Sequence, residues 1–377
     1  MTSQSDDSTV PVTVVSGVLG AGKTTLVNHV LRNPGERDVA VVVNDVGEVN
    51  VDAELLATQT DEDGIVDLSN GCICCRLQGD LLDAVERLAE TREFDVLLIE
   101  TSGVSEPIPV ARLFIDGAEG SDVDPTEHYR LDTTVTVLDA YGFWKEFDAG
   151  ASLPTGAARD GGRPLSDALV DGVEFCDVLL LNKCDMVPDD ALDGVETVVR
   201  ELQPRAEIVR TVDAAVDPER ILDTGAFDFE AAARAPGWKR HLAGHGGTGG
   251  DDHDHGIEPP GVSTFVYERR RPFHPERFGA WLTEWDGDVI RAKGFSWVAG
   301  RDGEVIGVNR AGASVRAGPI GEWDPRDERA TRLVFIGRES MDEERITAEL
   351  DECLTTDEER DGTRGEGTTD PFPLSEP

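Results

Sequence analysis

Residues 17–24 read Gly-Val-Leu-Gly-Ala-Gly-Lys-Thr and complete the pattern G-x-x-x-x-G-K-[ST] directly after an apolar, β-branched run, Val10-Pro11-Val12-Thr13-Val14-Val15. The pattern dictates a strand, a glycine-rich turn and a helix, because the loop's N–H groups converge on phosphate oxygens only when flanked in that order. Thr24–Leu31 has the composition to open that helix. Gly17, Gly20 and Gly22 let the loop curl, with Ala21 between the last two. Lys23 brings a compact positive charge, and Thr24, followed by Thr25, offers a hydroxyl to Mg²⁺. The expected fold class is a P-loop α/β domain with a mostly parallel sheet covered on both faces.

The remainder of the chain to about Ala235 supports that expectation. Short apolar runs at 38–43, 64–68, 95–99, 133–138, 177–181 and 206–209 alternate with amphipathic stretches, of which 80–92 and 190–202 are predicted helices. Between Pro236 and Gly261 the composition turns to Gly, His, Asp and Pro, which cannot build a core. Beyond it, predicted strands at 262–267, 289–298 and 332–336 and helices at 275–285 and 342–353 describe a smaller α+β domain with its helices on one sheet face. The predicted organisation is a disordered tail over 1–9, a P-loop domain over 10–235, a linker over 236–261, the second domain over 262–356 and a disordered acidic tail over 357–377. A length of 377 residues suits two cores better than one.

With 76 acidic against 35 basic residues, the net charge is −41 and is spread along the chain. Such a surface repels nucleic acid and anionic membrane, so neither is an expected partner. It also suits solubility in very high salt, where charge repulsion is screened within a few ångströms, and a halophilic cytosol is the working hypothesis. Neither a leader-like segment nor a membrane-spanning apolar run is present in the sequence, which predicts a soluble, cytoplasmic protein. Thiols stay reduced there, so the six cysteines are read as ligands, reactive groups or core filler.

Four further segments carry chemistry. Asn182-Lys183-Cys184-Asp185 follows an apolar run, and the Asp185 carboxylate can accept from the N1–H and 2-amino group of guanine, where adenine would leave it unpaired. Asn182 is expected at the purine's far edge and Lys183 along the ring. Glu100-Thr101-Ser102-Gly103 ends another run; Glu100 is the expected metal-side acid, and Gly103 brings its N–H toward the γ-phosphate. Three of the six cysteines fall in Gly71-Cys72-Ile73-Cys74-Cys75. The thiolates of Cys72, Cys74 and Cys75 are one ligand short of a closed tetrahedral zinc site, and Co²⁺ or Cu⁺ would suit them too. Asp45 and Glu48, in the acidic stretch 44–52, are open to three readings: completing the thiolate site, contacting Mg²⁺, or standing as solvated loop acids. His241, His245, His253 and His255 in the linker are read equally as weak metal collectors or as solvated spacer.

Taken in order, Gly17–Thr24, Asn44–Gly47, Gly71–Cys75, Glu100–Gly103 and Asn182–Asp185 resemble the CobW-like GTPases, relatives of nickel-delivery GTPases. Arg271-Pro272-Phe273, Arg291-Ala292-Lys293-Gly294-Phe295 and Trp323 resemble that family's carboxyl-terminal domain. The resemblance implies a GTP-hydrolysing metallochaperone that binds GTP, Mg²⁺ and Zn²⁺ and hands its metal to a client protein. Asp45 stands where the family usually has Glu, and Cys184 where it has Thr or Ser, at a position whose side chain base pairing does not need. Two competing readings are a P-loop kinase for a small molecule and a metal buffer whose nucleotide is structural. The oligomeric state is left open, a homo-oligomer included.

Overall fold

The computed structural model describes residues 9–43, 65–67, 75–102, 107–118, 123–148, 159–160, 163–228, 262–284, 288–312, 314–323, 328–361 and 370–375. Two compact units divide the chain, residues 1–196 with 203–233 in one and 197–202 with 234–377 in the other. Among the described residues no helix is long and apolar enough to cross a membrane.

The first unit is a doubly covered parallel sheet. Its elements in order are β1 (Val10–Ser16), α1 (Lys23–Arg32), β2 (Val39–Val43), β3 (Ile65–Asp67), α2 (Cys75–Thr91), β4 (Val96–Glu100), α3 (Pro107–Asp116), β5 (Tyr129–Asp139), α4 (Ala140–Asp148), the short pair β6 (Arg159–Asp160) and β7 (Arg163–Pro164), α5 (Leu165–Glu174), β8 (Val178–Asn182), α6 (Asp189–Leu202) and β9 (Glu207–Arg210). Seven strands pair in the order β3-β2-β4-β1-β5-β8-β9, every pair parallel. Strands β2, β4 and β8 are buried along their whole length, as apolar runs without alternation require. On one side Val12, Val14, Ala40, Val42, Leu97 and Ile99 meet Leu81, Ala84, Val85 and Leu88 of α2.

Two boundaries in this unit shift by more than a residue or two from the sequence expectation. Strand β5 starts at Tyr129, four residues before the predicted Thr133. Its polar stretch is tolerated because Asp132, though buried, accepts hydrogen bonds from the N–H groups of Thr224 and Gly225 and from the Thr133 hydroxyl. Tyr129 fills the core while its hydroxyl donates to the Val85 carbonyl at 2.7 Å. Helix α2 opens at Cys75, not near Asp80, so it begins inside the cysteine segment.

The second unit comprises β10 (Val262–Arg269), α7 (Pro275–Glu284), β11 (Val289–Ser296), β12 (Glu304–Ala311), β13 (Ser314–Glu322), β14 (Thr331–Arg338), α8 (Glu343–Glu352), α9 (Asp357–Asp361) and β15 (Leu374–Ser375). The strands form an antiparallel sheet in the order β10-β14-β11-β12-β13-β15. Phe278 and Leu282 of α7 and Ile346 and Leu350 of α8 join one core cluster with Phe265, Phe335 and other sheet residues. Gly294, at φ 153°, is forced by crowding: a Cβ there would lie 2.1 Å from the Arg332 carbonyl oxygen.

The segment expected as a disordered tail is corrected by this unit. Leu374 and Ser375 pair with Ala317 and Arg316, and Phe372 is buried in the core beside Phe278. Arg301 bonds the Asp370 carboxylate at 2.8 Å and the Phe372 carbonyl at 2.6 Å. One aromatic side chain and one ion pair outweigh a composition of Gly, Thr, Pro and acids. The predicted linker, 236–261, lies outside the described residues.

Candidate functional site

All parallel strands end at the same edge of the sheet, and that edge is where ligands bind in such folds. Strand β1 ends there in the glycine loop. Gly17, Gly20 and Gly22 adopt φ of 144°, 77° and 113°. A Cβ on Gly17 would stand 2.3 Å from the Val137 carbonyl oxygen, and one on Gly22 would stand 2.4 Å from Nδ2 of Asn182. The loop is therefore seated directly on the ends of β5 and β8. Lys23, the first residue of α1, is buried, and its ammonium donates to the carbonyls of Gly17 at 2.9 Å and Val18 at 3.3 Å. This holds a positive charge against the glycine loop.

The Thr24 hydroxyl donates to Oε1 of Glu100 at 3.0 Å. Glu100 is buried at the end of β4, on a register row with Val15 of β1 and Val43 of β2. A hydroxyl and a carboxylate, both hard oxygen donors beside the phosphate loop, fit Mg²⁺ and not a soft thiophilic ion. Thr25 follows exposed on the first turn of α1, and Ala21 is fully buried. Gly103, Asp45, Glu48, Cys72 and Cys74 lie outside the described residues, as does the side chain of Cys75.

On the other side, Asn182, expected at the purine's far edge, also has a structural part. Its Nδ2 donates to the Ala21 carbonyl at 2.9 Å, and its Oδ1 accepts from the Ala214 N–H at 2.9 Å and the Thr211 hydroxyl at 3.2 Å. This buried amide ties the phosphate loop, β8 and the turn after β9 together. Lys183 takes the left-handed conformation at φ 61°, which costs a residue with a Cβ about 1 kcal/mol or more. The turn is held by the Cys184 N–H donating to the Thr211 carbonyl at 3.2 Å and by the Lys183 ammonium, 2.6 Å from Oδ2 of Asp139. Beyond it, Asp185 stands exposed on a short 3-10 turn, free to meet a base edge. Cys184 donates its thiol to the Leu181 carbonyl at 2.9 Å, and burial pushes that thiol up from its ordinary range. Burial also pushes up the thiols of Cys176 and Cys353, the latter to about 11, which keeps both protonated as core filler.

Sequence reasoning missed Asp139, Thr211 and Ala214. The available signal was slight: Asp139 is a lone acid closing an apolar strand, and Thr211 a lone hydroxyl after another. Both became visible only through neighbours distant in sequence.

A glycine cradle, a hydroxyl–carboxylate pair and an Asn-Lys-x-Asp turn at the carboxyl edge of a parallel sheet define a P-loop GTPase domain. Residues 11–210 match the CobW/HypB/UreG nucleotide-binding domain, and residues 262–354 match the cobalamin synthesis protein CobW C-terminal domain. The chain belongs to the CobW/HypB/UreG family, as its motif order led one to expect. It is 37% identical to zinc-regulated GTPase metalloprotein activator 1 of Dictyostelium discoideum over 93% of this chain and 81% of that protein. It is 28% identical to the zinc chaperone CobW of Sinorhizobium sp over 93% and 98% of the two chains, and 30% identical to the zinc chaperone CobW of Pseudomonas aeruginosa over 92% of each.

Proposed function

We propose that the chain is a cytoplasmic metallochaperone that hydrolyses GTP and binds zinc, or a similar ion, at Cys72, Cys74 and Cys75 before passing it to a client protein. Asp185 selects guanine, and the loop N–H groups with Lys23 hold the β- and γ-phosphates. In hydrolysis a water oxygen bonds to the γ-phosphorus while the bond from phosphorus to the β-phosphate bridging oxygen breaks, giving GDP and phosphate. Lys23 offsets the charge that develops on the leaving oxygens. Thr24 and Glu100 would hold Mg²⁺, which when bound neutralises phosphate charge. Gly103 is proposed to approach the γ-phosphate, and Asp45 to lie between the nucleotide and the thiolates. No glutamine follows Gly103 to place the water, so slow turnover is expected until metal or client completes the site.

The observation that supports coupling between the two ligands is a single register row. Glu100 of β4 is level with Val43 of β2, which is level with Asp67 of β3. At about 4.8 Å between strands, the end of β3, from which the cysteine segment departs, lies roughly 10 Å from the acid of the nucleotide site. We propose that a rearrangement of the phosphate-facing loops is passed along this row to the cysteine segment; by linkage, if GTP alters metal affinity by some factor, metal alters GTP affinity by the same factor.

The test is a zinc titration of the full chain without nucleotide, with GDP and with a non-hydrolysable GTP analogue, with Cys74→Ser as control. Zinc affinity that shifts with nucleotide and falls in the control supports the chaperone. A control that binds as tightly as wild type removes the site, and an affinity indifferent to nucleotide leaves only a metal buffer.

A further inference from the structure

We infer that Asp139 is the positioning residue for the base, acting through Lys183; this deepens the guanine reading above and rests on it. Asp139 closes β5 at the register position of Asn182, so it stands at the ligand edge of the sheet next to the Asn-Lys-x-Asp turn. Both of its oxygens are engaged. Oδ1 accepts from the Gly142 N–H at 3.0 Å, which fixes the carboxylate against the first turn of α4. Oδ2 lies 2.6 Å from the Lys183 ammonium, with the two side chains 18% and 31% exposed. The first turn of α4 is shaped around this carboxylate: a Cβ on Gly142 would come within 3.3 Å of the Asp139 Cγ.

The choice of cation also bears on the role. Only five of the 35 basic residues are lysines, and arginine carries ion pairs elsewhere in the chain, such as those of Arg210, Arg269, Arg277 and Arg301. A lysine here offers what arginine does not, a slim unbranched stem with a point charge at its end. Four rotatable bonds make that stem a poor wall for a flat base unless its end is pinned. The left-handed Lys183 backbone fixes one end and Asp139 the other. Asp185, two residues on, then meets the edge of a base whose face the stem covers. Stem contact is indifferent to the base's substituents, so Asp139 sets residence time and leaves base choice to Asp185.

The experiment is dissociation of GDP and of IDP, which lacks the 2-amino group, from wild type, Asp139→Asn, Lys183→Ala and the double variant. Asn at 139 keeps the acceptor for the Gly142 N–H, so α4 keeps its start. Asp139→Asn is expected to release both nucleotides about tenfold faster, the scale of losing one charge-assisted bond, with an unchanged GDP-to-IDP ratio. The double variant should match Lys183→Ala alone. Additive effects of the two substitutions, or a changed GDP-to-IDP ratio in Asp139→Asn, overturn the assignment. The guanine reading is checked separately: it fails if wild type holds ADP as well as GDP, or if Asp185→Asn does not trade guanine for xanthine. A wild type that prefers guanine with an additive double variant refutes only the role of Asp139.

Discussion

Replacing Asn182 with Ala tests whether the phosphate loop is seated by one side chain. The substitution removes three hydrogen bonds and strands two groups on fully buried residues, the Ala21 carbonyl and the Ala214 N–H. The Thr211 hydroxyl keeps a weak alternative in the Leu181 carbonyl at 3.5 Å. Each orphaned buried polar group costs roughly 1–3 kcal/mol, and water entering the small void recovers part of it, so a loss of about 3 kcal/mol is expected. Hydrogen exchange of β1 and β4 peptides along a urea series reads this loss in the first unit alone, separate from the second. Peptides spanning Gly17–Thr24 should lose protection first, and GDP should dissociate faster. Asn182→Asp adds a sign. Its second oxygen would face the Ala21 carbonyl, acceptor against acceptor, so the folded protein raises that carboxyl above its usual value near 4 and favours the protonated form. Its deficit relative to wild type should therefore be small near pH 4 and grow as pH rises toward 7. A loss below about 1 kcal/mol in Asn182→Ala, or unaltered exchange over the loop, refutes the seating argument.

Three further outcomes follow from the geometry. Gly17→Ala should abolish nucleotide binding by calorimetry, because its Cβ would sit 2.3 Å from the Val137 carbonyl, whereas Gly20→Ala, with nothing within 4 Å, should retain weakened binding. Phe372→Ala should destabilise the second unit by about 3 kcal/mol in the same exchange assay over β11 peptides, with the first unit untouched. Arg277 holds the Glu359 carboxyl at about 2, below its reference of 4.5, through paired bonds of 2.9 Å. That contribution is complete above pH 4.5 and is lost as pH falls from there toward 2; Glu359→Gln should flatten acid unfolding of the second unit in that window, modestly, since the pair is partly solvated.

The phosphate loop was legible because its demands are local: three glycines, a lysine and a threonine sit within eight positions. Glu100 was legible because an acid ending an apolar strand is costly without a purpose. The Thr24–Glu100 bond, across 76 positions, was not legible: the sequence offered each residue to Mg²⁺ separately, and only the fold sets the first turn of α1 against the end of β4. Asn182 was read for the base, and its additional bonds to Ala21 and Ala214 were not foreseen, because neither residue carries a polar side chain to announce them. Phe372 was missed for the opposite reason. Composition averages over a window, and one buried ring in a window of Gly, Thr and Pro contributes little to the average although it decides where the segment goes.

Asn182 also sets a clock. The residue it secures in the loop, Ala21, emerges early in synthesis, but Ala214, which completes the amide's bonding, follows Thr24 by 190 positions. At about 5–20 residues per second, roughly ten to forty seconds separate the making of the phosphate loop from the making of the turn that seats it. A nascent chain carrying the full G-x-x-x-x-G-K-T sequence is thus poorly able to hold GTP during that interval, and first nucleotide capture reports that translation has passed the turn after β9.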